Sequence, residues 1–421
     1  MRAIRGRLLE FVDGARYRYV EDGAILVADG RIQGIGEAGE LLVGLALDTP
    51  VDDHRGKLIL PGFIDLHIHL PQTRVIASYG TQLMEWLERY TFVAEQAYAD
   101  SGHAAAGAAF FLDEVRRNGT TTAVVYGSVH PGSAEALFAE ATRRGMAMIA
   151  GKSMMDRNAP VALQDTAQGS YDEAKALIAR WHGRARQHYA VTPRFAVTST
   201  PAQLEAAGAL LREHETVYLQ THLAENHDEI AAVRALFPAA VDYTDVYESA
   251  GLLGPRSLFG HCLHLSSREL DRLAETRSIA VSCPTSNLFL GSGLFDRQGM
   301  LGRKQPVRVG LATDVGGGTS YSMLRTAAEA YKVAQLRGHT LSAVAGFAQI
   351  TRGNAEALGL EHEIGTLDIG SYADLVVLDT HATPAMAHRM ETVESLEEEL
   401  FVLMTLGDDR SVAATYVAGE R

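Results

Sequence analysis

Apolar and polar positions follow two different rhythms along this chain. Near both ends, short apolar runs are cut by turn residues. Residues 23–32 (GAILVADGRI) place an Asp-Gly between two apolar runs, which predicts a hairpin. Residues 370–379 and 414–419 repeat that style. Because chain termini often lie close together, the two ends are expected to form one small β-sandwich-like domain, residues 1–60 plus 366–421, flanking what lies between.

The middle of the chain alternates strand and helix patterns. A Pro-Gly turn at 61–62 precedes FIDLHIH, an almost wholly apolar run that reads as a strand buried on both faces. Further strands are predicted at 120–126, 146–153, 190–195, 217–222, 257–261, 279–283 and 307–314, eight in all. Helical patterns fall between them at 104–117, 170–186, 201–213, 225–237 and 267–276. Eight strands alternating with helices predict an α/β fold, a (β/α)8 TIM-like barrel over residues 61–365, with its active site at the strand C-terminal ends.

Composition narrows the class. The chain has 421 residues, 47% hydrophobic and 21% charged, which is enough to bury a large core and suits one barrel plus a smaller module. A formal net charge of −14 gives no basic surface for nucleic acid or for an anionic membrane. The two cysteines, Cys262 and Cys283, are too few for a disulfide framework and fit a reducing compartment. No apolar targeting core follows the first residues, so the expected location is cytoplasmic.

The chemistry sits at predicted strand ends. Side chains alternate along a strand, so His67 and His69 point the same way and could share a metal ion, although an isolated His-x-His reads more readily as a hydrogen-bonded pair on a sheet edge. Later strand ends add His222 in QTH, His261 in GHC and Asp314 in ATD. Two imidazoles from the first strand, one from the fifth and a carboxylate from the eighth make a donor set that suits zinc or ferrous iron. The remaining histidines, such as His54, His103, His182, His214 and His381, read as solvated surface residues.

These motifs carry a resemblance. PGFIDLHIH, THLAEN, GHC, ATDVGG and the flanking IGTLDIGSYADLVVLD resemble the metal-dependent amidohydrolase superfamily. HLPQ (69–72), MEWLERYTFVAE (84–95), VTPRF (191–195), CPTSNLFLGSGLF (283–295) and LGDDRS (406–411) are similar, over nearly the whole chain, to the guanine deaminase family within it. The resemblance implies hydrolytic deamination of guanine to xanthine and ammonia by a metal-bound hydroxide. It implies one Zn2+ per chain, with Fe2+ as the alternative, held by His67, His69, His222 and Asp314. Asp314 would take the proton of the attacking water, His261 would orient it, and Glu225 would protonate a ring nitrogen.

For the substrate, the resemblance points to Gln72, Arg194, Phe195 and His222. Gln72 offers a donor and an acceptor to an amide-like purine edge, Arg194 a donor to a ring carbonyl, and Phe195 a face for the base to stack on. Read without the motif, Arg194 would be a surface salt bridge and Phe195 a core side chain. Trp86 and Tyr90, at i and i+4, could line the pocket or simply pack. A two-metal relative would need a lysine where Arg194-Phe195 stands, so one metal is expected, with Lys152 a structural partner. The H-x-E and P-C-x-x-C deaminase design does not fit either, because Cys283-Pro284 lacks a spaced second thiol, and Cys262 reads as core. Gly260 stands where relatives carry alanine, a change expected to be harmless, and Arg74 could alter the pocket rim. The expected partners are the small-molecule substrate and a second copy of the chain in a homodimer. The alternatives are another heterocycle hydrolase on the same scaffold (for 8-oxoguanine, a pterin or a triazine) or a non-catalytic metalloprotein.

Overall fold

The computed structural model describes residues 1–46, 48–80 and 82–421. The strands are β1 (Arg2–Phe11), β2 (Tyr17–Ala28), β3 (Arg31–Glu37), β4 (Val51–Pro61), β5 (Phe63–His69), β6 (Thr120–Tyr126), β7 (Ala147–Gly151), β8 (Ser153–Met154), β9 (Gln187–Pro193), β10 (Tyr218–Leu223), β11 (Ser257–His261), β12 (Ile279–Ser282), β13 (Arg308–Leu311), β14 (Leu375–Leu378) and β15 (Val412–Tyr416). They form two sheets, and the chain divides into two compact units, Met1–Asp65 with Asp113–Thr122 and Tyr321–Arg421, and Leu66–Leu112 with Ala123–Ser320.

The terminal segments make one six-stranded mixed sheet in the order β15-β14-β4-β1-β2-β3. The β2–β3 hairpin turns at Asp29-Gly30, where both residues have positive φ (53° and 75°), the backbone that a tight two-residue turn needs and that Asp-Gly tolerates. Ile4, Ile25, Ile59, Val377 and Tyr416 are buried together in its core. His54, read from sequence as a surface residue, is instead buried at 8% exposure within β4, with Nε2 2.8 Å from the Tyr416 hydroxyl. Its partner lies 362 residues away, so nothing local announced it.

The second sheet runs β13-β12-β11-β10-β9-β7-β6-β5, with β8 paired to β9. Its ends meet through Asp314 N–H donating to His67 O (2.8 Å) and His69 N–H donating to Val315 O (2.9 Å), which nearly closes an eight-stranded parallel barrel as the alternation predicted. All seven residues of β5 and all seven of β6 are buried, as expected of parallel strands covered on both faces. Lys152 follows β7 and is wholly buried, its Nζ 2.6 Å from Asp165 and 2.8 Å from Glu173. Several boundaries move from the sequence reading; the helix expected over 170–186, for one, spans Ala167–Trp181. β9 begins three residues early, because Gln187 is buried with its amide donating to Met146 O. The helix expected from Glu225 begins instead at His227, because Asn226 and Glu229 form a reciprocal capping box that ends the loop at Asn226.

Candidate active site

The alternation of β5 turns His67 and His69 to one side, and their Nε2 atoms lie 3.2 Å apart. Asp314, just past β13, brings Oδ1 to 3.3 Å and 3.2 Å from those two nitrogens. Ligand atoms about 2.0–2.1 Å from one tetrahedral ion stand about 3.3 Å from each other, so this triangle has the dimensions of a coordination face. His222, at the end of β10, places a ring nitrogen within 4.8 Å of those of His67 and His69. Its Nδ1–H donates to Arg194 O at 2.7 Å, which leaves Nε2 with the lone pair a metal needs. Burial holds His222 well below its ordinary pKa and His69 at about 3, so both rings are neutral and ligand-competent. Against the opposing effect of burial, His67 and then His69 and His261 hold Asp314 well below the usual carboxylate range. The residues present therefore fit a divalent cation.

His261, at the end of β11, lies behind this triangle. Its Nδ1 is 2.8 Å from Asn287 Oδ1, while Nε2 faces Glu225 Oε2 at 3.2 Å and Asp314 Oδ2 at 3.8 Å. Glu225 is 3% exposed, and Ser292 Oγ donates to its Oε1 at 3.1 Å. Burial, followed by the charge of Asp314, pushes the Glu225 carboxyl up to about 8, so it holds its proton at neutral pH. The backbone N–H of Glu225 is itself held by Glu229 Oε2 at 2.8 Å, and Glu229 Oε1 accepts from the Tyr243 hydroxyl. Ala224, His261, Cys262 and Asp314 all have φ between 51° and 70°. Left-handed backbone costs a non-glycine residue about 1–2 kcal/mol, and its concentration at three strand ends is the pattern of a site whose geometry is imposed.

A cavity opens over this cluster, with Gln72, Trp86, Arg194, Phe195, Glu225 and Leu290 in its wall. Phe195 packs edge-on to the His222 ring at 6.3 Å. Arg194 is 2% exposed, and its Nη1 bonds both oxygens of the buried Glu95 at 2.7 and 2.9 Å. Trp86 and Leu87 reach the cavity from a helical stretch that widens into a π-turn over Leu87–Thr91. Tyr90 is half-buried and carries the Arg89 guanidinium over its ring.

Every site residue anticipated from sequence thus falls in this one cluster. Sequence reasoning missed five others. Glu95 and Ser292 lay inside motifs that were recognised but given no role, and Asn287 belongs to CPTSN. Tyr126 stacks on His69 at 4.5 Å, and its buried hydroxyl has no partner among the described residues. Cys283 lies in a group with His67, His261 and Asp314 whose donor atoms fall within 4.8 Å of one another. Gly260 packs close against the site: a Cβ there would stand 2.6 Å from His67 Cε1.

Comparison with known proteins gives the family. The amidohydrolase family model matches residues 58–421. The guanine deaminase of Escherichia coli K12 is 47% identical over 430 aligned positions, covering 100% of this chain and 97% of its own length, and the mouse guanine deaminase is 33% identical, covering 87% and 83%. The solved E. coli guanine deaminase superposes with a TM-score of 0.97, covering 100% of this chain and 99% of its own. The guanine deaminase of C. acetobutylicum, solved with guanine in its active site, is 26% identical with a TM-score of 0.89, covering 100% and 99%. The chain belongs to the amidohydrolase family and, within it, to the guanine deaminases.

Proposed function

We propose that this protein hydrolyses guanine to xanthine and ammonia, as a zinc-dependent enzyme with one ion per chain. The observation that carries this reading is a buried carboxyl, Glu225, that keeps its proton beside a cluster of three imidazoles, two of which also face the Asp314 carboxylate, with ring-recognition side chains in the same cavity.

His67, His69, His222 and Asp314 would hold the metal, which when bound supplies an activated water at neutral pH. Asp314, held as a carboxylate, receives the proton of that water. His261, with Nδ1 engaged by Asn287, directs Nε2 toward the space between Glu225 and Asp314 and orients the attacking oxygen. Glu225 delivers its proton to a ring nitrogen as the carbon bearing the amine is attacked; the proton held by Asp314 then passes to the amine, which leaves as ammonia, and the proton of the new hydroxyl returns to Glu225. Gln72 and Arg194 meet the purine edge, Phe195 stacks on the base, and His222 borders it.

Zinc is the ion we place there, with ferrous iron the alternative that the same ligands accept. Arg194-Phe195 after β9 leaves no lysine to bridge a second ion, which supports one metal. We further propose the domain limits 1–60 plus 366–421 and 61–365, and a cytoplasmic homodimer. The compartment is supported by two buried cysteines that form no disulfide. Among the described residues, no helix is long and apolar enough to cross a membrane.

The test is xanthine formation by protein stripped with a chelator and then reloaded with zinc or with ferrous iron. Activity that is lost on stripping and returns with one equivalent of ion per chain supports the reading. Full turnover by metal-free protein contradicts it.

A further inference from the structure

The two side chains that meet the purine edge share one wholly buried carboxylate. Glu95 Oε1 is 2.7 Å from Arg194 Nη1 and 3.4 Å from Gln72 Nε2, and its Oε2 is 2.9 Å from the same Nη1. The far end of the Gln72 amide is also fixed, because Gly316 N–H donates to its Oε1 at 3.1 Å. Glu95 is in turn anchored through its own backbone, whose carbonyl accepts from Ser128 Oγ at 3.1 Å, and the Phe92 ring lies 5.6 Å from the Arg194 guanidinium. Glu95 itself is 0% exposed and does not line the cavity.

Two physical consequences follow. First, the carboxylate fixes which atoms Gln72 and Arg194 present, since an amide whose two ends are both engaged cannot turn over to suit another ring edge. Second, it cancels a charge. A guanidinium keeps its proton under all ordinary conditions, and in a buried wall an uncompensated one would draw an anion. With Glu95 against it, Arg194 offers N–H donors but little net charge, and the Asp314 carboxylate borders the same cavity. That arrangement suits the neutral carbonyl of a ring and disfavours a ring that has lost a proton.

We infer that Glu95 is a specificity-determining positioning residue: by holding Gln72 and neutralising Arg194, it makes the pocket select a neutral, carbonyl-bearing heterocycle over an anionic one. It also favours release of the product, because xanthine loses a ring proton more readily than guanine does. The inference rests on the reading of the cavity as a guanine site and deepens it.

The experiment compares the zinc-loaded wild type with Glu95→Gln and Glu95→Asp. It measures kcat and KM for guanine, and inhibition by xanthine from mildly acidic to mildly alkaline pH. Metal content and melting temperature follow the fold. Glu95→Gln is expected to raise KM about tenfold while kcat stays within about threefold, a split that a general loss of structure does not produce. In that variant xanthine inhibits more strongly as pH rises, whereas in the wild type it inhibits less strongly. Should Glu95→Gln not fold, Glu95→Asp keeps the charge but withdraws the carboxylate by one methylene. It is expected to raise KM about threefold and to keep the wild-type pH trend. An unchanged KM in the variants that fold, or a wild-type xanthine trend in Glu95→Gln, overturns the inference alone. A wild type that does not turn over guanine overturns the reading of the site beneath it.

Discussion

His261 Nε2 lies 3.2 Å from Glu225 Oε2, and Ser292 Oγ lies 3.1 Å from the other oxygen of the same carboxyl. Glu225 is therefore hydrogen-bonded at one oxygen and faced by an imidazole at the other in a buried wall, which suits a group that must hand over a proton in one direction. Glu225→Gln keeps the size and removes the acid. It is expected to lower kcat by about 10²- to 10⁴-fold while the bound metal stays at wild-type level, as read by steady-state kinetics alongside elemental analysis. Retention of more than about a tenth of the wild-type kcat would show that the proton comes from elsewhere.

The raised pKa of Glu225 sets a pH dependence. The proposed role needs the protonated form, which is present below the folded-state pKa and is lost as pH rises through it. Burial places that value at about 8, and a cation held by the neighbouring imidazoles would lower it, so kcat is expected to decline on the alkaline side at or below about pH 8. The Ser292 hydroxyl donates to the carboxylate and so favours the charged form. Ser292→Ala is therefore expected to move the alkaline limb to higher pH, and a shift in the other direction would count against the assignment.

Gly260 bears on the metal directly. A Cβ at that position meets His67 Cε1 at 2.6 Å and Nδ1 at 2.9 Å, both atoms of a ligand ring that is itself packed between Tyr126 and His222. Gly260→Ala is expected to displace the ring and weaken metal binding by roughly 10- to 100-fold, the scale seen when groups that orient a ligand are disturbed. Competition with a chromogenic chelator measures this. An unchanged affinity would mean that the β11 backbone yields more easily than the packing indicates.

A purely structural prediction separates packing from propensity. Gly208 lies inside the helix Pro201–Glu213, where alanine is ordinarily favoured by about 1 kcal/mol. Here its Cβ would stand 2.0 Å from Ala250 O, a backbone atom that cannot swing aside. Overpacking of that kind costs about 1–3 kcal/mol and more when backbone must move, so Gly208→Ala should lower the melting temperature. Gly132, in the first turn of the helix Pro131–Arg144 with nothing within 4 Å of its Cβ position, is the control and should be neutral or stabilised as alanine.

The fold was legible in the sequence because its signals are local. Each barrel strand is a short apolar run ended by turn residues, and His67 and His69 face one side by simple alternation. The hairpin at Asp29-Gly30 declared itself by residue type. What stayed hidden depends on contacts between distant segments. Glu95 and Arg194 are 99 residues apart, and Ser292 and Glu225 are 67 apart, so neither pairing leaves a trace in periodicity. The start of the helix after Glu225 was misplaced because the Asn226–Glu229 capping box was not weighed against the apolar pattern that follows it. The π-turn at Leu87–Thr91 has no sequence rule behind it at all, yet it lies in the stretch that carries Trp86 and Leu87 to the cavity.

The central claim is that this cavity is a guanine site serviced by one metal and one proton-bearing carboxyl. Its most direct test is ammonia release from guanine by the zinc-loaded protein, run beside adenine, cytosine, an oxidised guanine, a pterin and a triazine. Rapid release from guanine with stoichiometric xanthine, and little or none from the other rings, is the predicted result. No release from guanine with turnover of another ring would contradict the substrate assignment built on Gln72, Arg194 and Phe195 while leaving the metal and proton chemistry in place.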